Sequence, residues 1–195
     1  GILDPTEECD TSGESNSCTA SCTLRLGGSE AAPAASCKAI LAQNPSSGDG
    51  LYWIYLSASQ SNDAQQVYCD MTTDGGGWTL LGTVYGGDGH NWNTQNGYWS
   101  DNNTLGDITA PFEDYKSEAW VDYDITDAEV MLERRYNSSI KSKVKLSNAC
   151  LHNKTYFTQL FTTWDTNLRC GLGNITILQA ATNTDGLSSS VYREG

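Results

Sequence analysis

The chain has 195 residues, 38% of them hydrophobic, enough to bury one principal core beside a small appendage. Asp and Glu number 24 against 11 Lys and Arg, and the formal net charge of -13 at pH 7 disfavours nucleic acid and anionic surfaces while suiting cations or simple solubility. Seven cysteines without zinc-ribbon spacing point to disulfides in an oxidising, extracellular setting, secreted or at the cell surface; no apolar run reaches the ~20 residues that cross a bilayer, so no membrane insertion is expected.

Residues 1–26 hold Cys9, Cys18 and Cys22 among Thr, Ser, Glu and Gly, with no aliphatic periodicity. A segment this short and polar keeps a shape only when cross-linked, so it reads as a small disulfide-held module. Three cysteines require a fourth, upstream of Gly1 or elsewhere, and an intermolecular disulfide is one outlet for the odd thiol. The run Asp4-Pro5-Thr6-Glu7-Glu8-Cys9-Asp10 with Cys18-Thr19-Ala20-Ser21-Cys22-Thr23 resembles cysteine-rich repeats of large extracellular proteins, which implies a module incomplete at its N-terminus. Residues 27–35 are small and unpatterned with one proline, the composition of a flexible linker.

The main domain is expected over 36–195. Ser36 is placed to cap a short helix carrying Ile40 and Leu41, stopped by Asn44-Pro45. Strands are predicted over Leu51 to Leu56, Gln66 to Met71 and Trp78 to Tyr85, with turn residues between them. Residues 86–106 form a long Gly- and Asn-rich loop that holds Trp92, Tyr98 and Trp99. Thr126-Asp127-Ala128-Glu129 fits a helix capping box before Val130, Met131 and Leu132, but those three equally suit a buried strand. Tyr156 to Trp164 is an apolar run between Cys150 and Cys170, a second candidate disulfide pair, and Ile175 to Leu178 reads as another strand. Sequons at Asn102, Asn137, Asn153 and Asn174 are candidate glycosylation sites.

Four segments in order, Ser36-Cys37-Lys38-Ala39-Ile40-Leu41, Gly48-Asp49-Gly50-Leu51-Tyr52-Trp53-Ile54, Val67-Tyr68-Cys69-Asp70-Met71 and Asp74-Gly75-Gly76-Gly77-Trp78-Thr79-Leu80, resemble the opening of a fibrinogen-like domain. Asp88-Gly89-His90-Asn91-Trp92-Asn93, Thr104-Leu105-Gly106, Asp114-Tyr115-Lys116 and Tyr123-Asp124-Ile125 are similar, more loosely, to its intelectin-like branch. The resemblance implies an α+β fold with a twisted antiparallel sheet and long loops, and a Cys37–Cys69 disulfide. It also implies that the C-terminal part carrying the family's ligand site is absent here.

The same resemblance makes Asp88 and Asp124 candidate calcium ligands. Asp122, Asp124 and Asp127 crowd three carboxylates together, as hard oxygen ligands for Ca2+ would, though a solvated acidic turn fits as well. Asp185 in Asn183-Thr184-Asp185-Gly186 reads first as a turn. Trp92, Tyr98 and Trp99 are a candidate platform for a ligand or partner, or anchors that keep their loop ordered. His90 and His152 each lack a neighbouring Glu or second His, so no catalytic set is legible and no enzyme is expected. The expected function is extracellular recognition or adhesion, a lectin-like binding of glycans or glycoproteins with calcium as the candidate cofactor. The alternative is a structural glycoprotein subunit that joins copies of itself into a filament, hair or matrix.

Overall fold

A computed structural model of the chain describes residues 18, 23–56, 64–84, 103–109, 113–122, 129–136, 139–147, 174–179 and 188–194. The first element is helix α1 (Cys37–Gln43). Ser36, extended at its N-terminus, accepts the Ala39 N–H on its side chain, so the predicted cap forms; Asn44 leaves helical geometry just before Pro45. Strands β1 (Gly50–Tyr55) and β2 (Ala64–Asp70) pair antiparallel, from Gly50 opposite Cys69 to Tyr55 opposite Ala64.

A 3-10 turn (Thr73–Gly75) leads from β2 into β3 (Trp78–Val84). Two carboxylates shape this turn. Asp49 accepts the Met71 N–H at 2.7 Å, and Asp70 accepts the Thr73 N–H at 2.8 Å, so backbone donors that no strand satisfies find partners. The Trp78 indole N–H donates to the Thr73 carbonyl at 2.8 Å, which fixes the ring beneath the turn. Gly76 is held at φ 71, and a Cβ there would stand 2.0 Å from the Met71 carbonyl oxygen. The glycine run therefore answers a steric demand.

The remaining elements are β4 (Tyr115–Lys116), α2 (Glu118–Asp122), β5 (Glu129–Tyr136), β6 (Ser139–Ser147), β7 (Asn174–Gln179) and β8 (Ser188–Glu194). The strands join one sheet in the order β1-β2-β3-β8-β5-β6-β7, with β4 paired to β3. Val130 to Leu132 lie in β5, which settles the helix-or-strand alternative. Ile175 to Leu178 lie in β7 as expected.

Period-two alternation along β3 serves two cores. Leu81 joins Cys37, Ile40, Ile54, Val67, Cys69 and Met71 under α1, while Trp78 and Leu80 pack with Tyr115 and Met131. The Cys37–Cys69 disulfide crosses the first core, with Cα atoms 5.6 Å apart, and the buried Thr79 hydroxyl donates to Cys37 Sγ at 3.0 Å. On the open side of the turn, Lys145 from β6 pairs with Asp74 at 2.7 Å and Glu129 at 3.5 Å. The Asp74 contact chiefly raises the Lys145 pKa, although partly exposed pairs of this kind stabilise by only about 0–1 kcal/mol.

One expectation needs correction. Residues 27–35, read as a flexible linker, are largely docked along β1. Trp53 N–H donates to the Gly27 carbonyl at 2.8 Å, Ala34 N–H to the Trp53 carbonyl at 2.9 Å, and Tyr55 N–H to the Ala34 carbonyl at 2.8 Å. Gly27, Ala32 and Ala34 are buried. Small residues that resemble a loose tether in composition here let one backbone lie close against another.

Replacing Cys37 and Cys69 together by Ala should lower the unfolding free energy by about 3–4 kcal/mol in urea titrations, since the bridge closes a loop over a separation of 32 residues. Gly75→Ala, whose Cβ would meet open space at φ 90, should cost about 1 kcal/mol for its backbone conformation. Gly76→Ala should cost about 3 kcal/mol, because the collision with Met71 adds to the same strain. Equal losses for the two glycine variants would refute the steric account.

Candidate functional site

The sequence-predicted ligand residues Asp88, Trp92, Tyr98, Trp99 and Asp124 lie outside the described residues, as do Cys9, Cys22, Cys150, Cys170, Asn102, Asn137 and Asn153. Cys18 is buried and disulfide-bonded. Asn174 opens β7 opposite Ser147. Among the described residues no three metal-ligating side chains gather in one place.

The structure instead brings together residues that were not singled out as a site. Leu105 and Lys116 exchange two backbone hydrogen bonds, Leu105 N–H to the Lys116 carbonyl at 3.0 Å and Lys116 N–H to the Leu105 carbonyl at 2.8 Å. This bridge lays residues 103–109 alongside β4. Ser117 anchors the next turn: its hydroxyl donates to the Leu81 carbonyl at 2.7 Å and accepts the Trp120 N–H at 3.1 Å. Between this corner and the outer residues of β2 lies a cleft of about 190 Å³. Gln65, Gln66, Thr104, Tyr115, Lys116 and Glu118 are among the residues that line it.

The cleft is polar, and the Gln65 and Gln66 amides, the Thr104 hydroxyl and the Glu118 carboxylate can donate and accept hydrogen bonds to a small hydroxyl-bearing or amide-bearing ligand. Lys116 and Ser117 are buried, whereas Gln65, Gln66 and Thr104 are exposed, so a fixed base carries an adaptable rim. Beside it Asp107 accepts the Thr109 N–H and hydroxyl, each at 2.8 Å, and these bonds lower its pKa. Burial pushes the Tyr115 phenol up to about 12, with the Asp107 charge adding to the rise and the Ser117 contact opposing it. Thr104-Leu105-Gly106 and Asp114-Tyr115-Lys116 were both visible as motifs, yet only the fold shows that they meet. Gln65 and Gln66 carry no sequence signal of a site at all.

The Tyr115 shift has a consequence for stability. The unfolded phenol loses its proton near pH 10 while the folded one keeps it to about 12, so the folded state binds more protons across that interval. The stabilisation is complete below pH 10 and lost as pH rises through 12, by up to about 3 kcal/mol for a shift of this size. Tyr115→Phe should flatten this alkaline decline in denaturant titrations between pH 9 and 12; an unchanged slope would show that the phenol titrates as an exposed one.

A family model described as the fibrillar collagen C-terminal domain matches residues 21–81, less than a third of the chain. Tenascin-N of Mus musculus and of Homo sapiens are each 54% identical over 39 residues, which is 20% of this chain but 2% and 3% of theirs. The chain thus spans a small fraction of those relatives' length. Among solved structures, the fibrinogen-like globe domain of human ANGPTL2 is 18% identical with a TM-score of 0.43, over 58% of this chain and 50% of its own. That of human ANGPTL6 is 18% identical with a TM-score of 0.41, over 59% and 48%. The chain resembles a fibrinogen-like domain, and its fold is α+β with an antiparallel sheet, helices and the Cys37–Cys69 bridge. No helix among the described residues is long and apolar enough to cross a membrane.

Proposed function

We propose that this chain is an extracellular, non-catalytic recognition module with lectin-like binding of glycans or glycoproteins, and with calcium at Asp88 and Asp124 as an organiser of the binding loops. The polar cleft between β2 and the Leu105–Lys116 bridge carries the reading: the exposed Gln65 and Gln66 amides and Thr104 hydroxyl, set on a buried base, suit a ligand read by hydrogen bonds. The disulfide supports the oxidising compartment, since such bridges persist outside the cytosol.

A second reading is favoured by one observation. The sequence holds an odd number of cysteines, seven, and a thiol left over from internal pairing suits a covalent link between copies in a filament or matrix. Retention of the glycosylated chain on immobilised glycans, run with calcium and with chelator, separates the two. Calcium-dependent retention of a monomer is the expected result. Large assemblies that dissolve in reductant and hold no glycan would replace the lectin reading with the structural one.

A further inference from the structure

We propose that residues 27–34 are a built-in plug on the outer edge of β1, and that this edge, once unplugged, pairs with the β1 edge of a second copy of the chain. The edge is real and its donors point outward. Trp53 N–H and carbonyl and Tyr55 N–H all bond to the plug, and period-two alternation sets the Leu51 backbone groups on the same side. Among the described residues the sheet order has no further strand beyond this edge, because β1 begins it.

An edge strand with unpaired main-chain groups is a template for another strand, and the sequence of β1, Gly-Leu-Tyr-Trp-Ile-Tyr, invites such pairing. It has no charge and no proline, and five of its six residues are aromatic or aliphatic. Leu51 is 37% exposed at its start. Two copies can pair antiparallel about a two-fold axis, so one edge is its own partner. The formal charge of -13 opposes their approach, and salt should therefore promote it.

The plug is held by these backbone bonds and by Ala34, which is buried in the first core. Just before it, Gln43 of α1 accepts the Leu26 N–H at 3.0 Å and donates to the Leu24 carbonyl at 3.2 Å. Gly27 sits at φ +78, where a Cβ would stand 2.5 Å from Ile40 Cδ1. A larger residue at 27 thus meets both backbone strain and a collision with the core, and lifts the plug without touching the β1–β2 ladder.

Sedimentation velocity on the full chain at rising concentration and salt tests this. The intact chain should stay at monomer mass, while Gly27→Val should move towards twice that mass, more so in high salt. Non-reducing denaturing electrophoresis sets apart any disulfide-linked dimer. Adding Tyr55→Pro, which deletes an outward N–H and no bond to β2, should return Gly27→Val to monomer. Ala34→Pro, which removes another plug bond, is the second route should Gly27→Val fail to fold. A folded unplugged variant that stays monomeric throughout, or association that Tyr55→Pro leaves untouched, overturns the proposal.

Discussion

Helix α1 and strand β2 are held together by the Cys37–Cys69 bridge, and the described N-terminal half is organised around that link. The helix is only seven residues long, too short to be stable alone in water. Crosslinked to β2, it becomes a lid over Ile54, Val67, Met71 and Leu81. Thr79 then closes the arrangement from β3, donating to the Cys37 sulfur from a fully buried position. Helix, hairpin and third strand thus share one crossing point. The neighbouring cleft depends on it as well, because Ser117, at its base, is moored to Leu81 of that same core strand.

The acidity of the chain acquires a second meaning in the fold. Asp49 and Asp70 accept backbone amides around the turn after β2, and Asp107 does the same for Thr109. These carboxylates replace hydrogen bonds that irregular backbone would otherwise lack, so the charge surplus is in part a consequence of many tight turns. A lone acidic residue in such a chain is therefore weak evidence of a cation site. Carboxylates already engaged with amide donors have less capacity left for a metal ion.

Local signals were legible where the chemistry was local. Ser36 as a cap, Asn44-Pro45 as a stop, and the aromatic runs at β1 and β3 each announce themselves within a few residues. The Cys37–Cys69 pairing came from the order of motifs that resemble a fibrinogen-like domain. Strand β8 gave no such signal: Ser188-Ser189-Ser190 carries little hydrophobic pattern, yet it pairs with β3 and β5 on either side. Its place is set by its partners, which no short window contains. The cleft was hidden for the same reason, since Gln65 and Gln66 lie far along the chain from Lys116. Residues 27–35 misled differently, because composition does not distinguish a loose tether from small residues in close contact.

The position of β8 also governs the order in which the molecule can be built. Thr79 waits for Arg193, more than a hundred residues downstream, before β3 gains its partner on that side, and β5 waits for the same strand. Until then, a ribosome-bound chain carries two half-sheets with open flanks. Closing such a long loop is entropically costly, so folding should be slow, with a partly assembled species exposed to chaperones on the way. Early formation of the Cys37–Cys69 bridge would preserve the first half-sheet while the second is still being made.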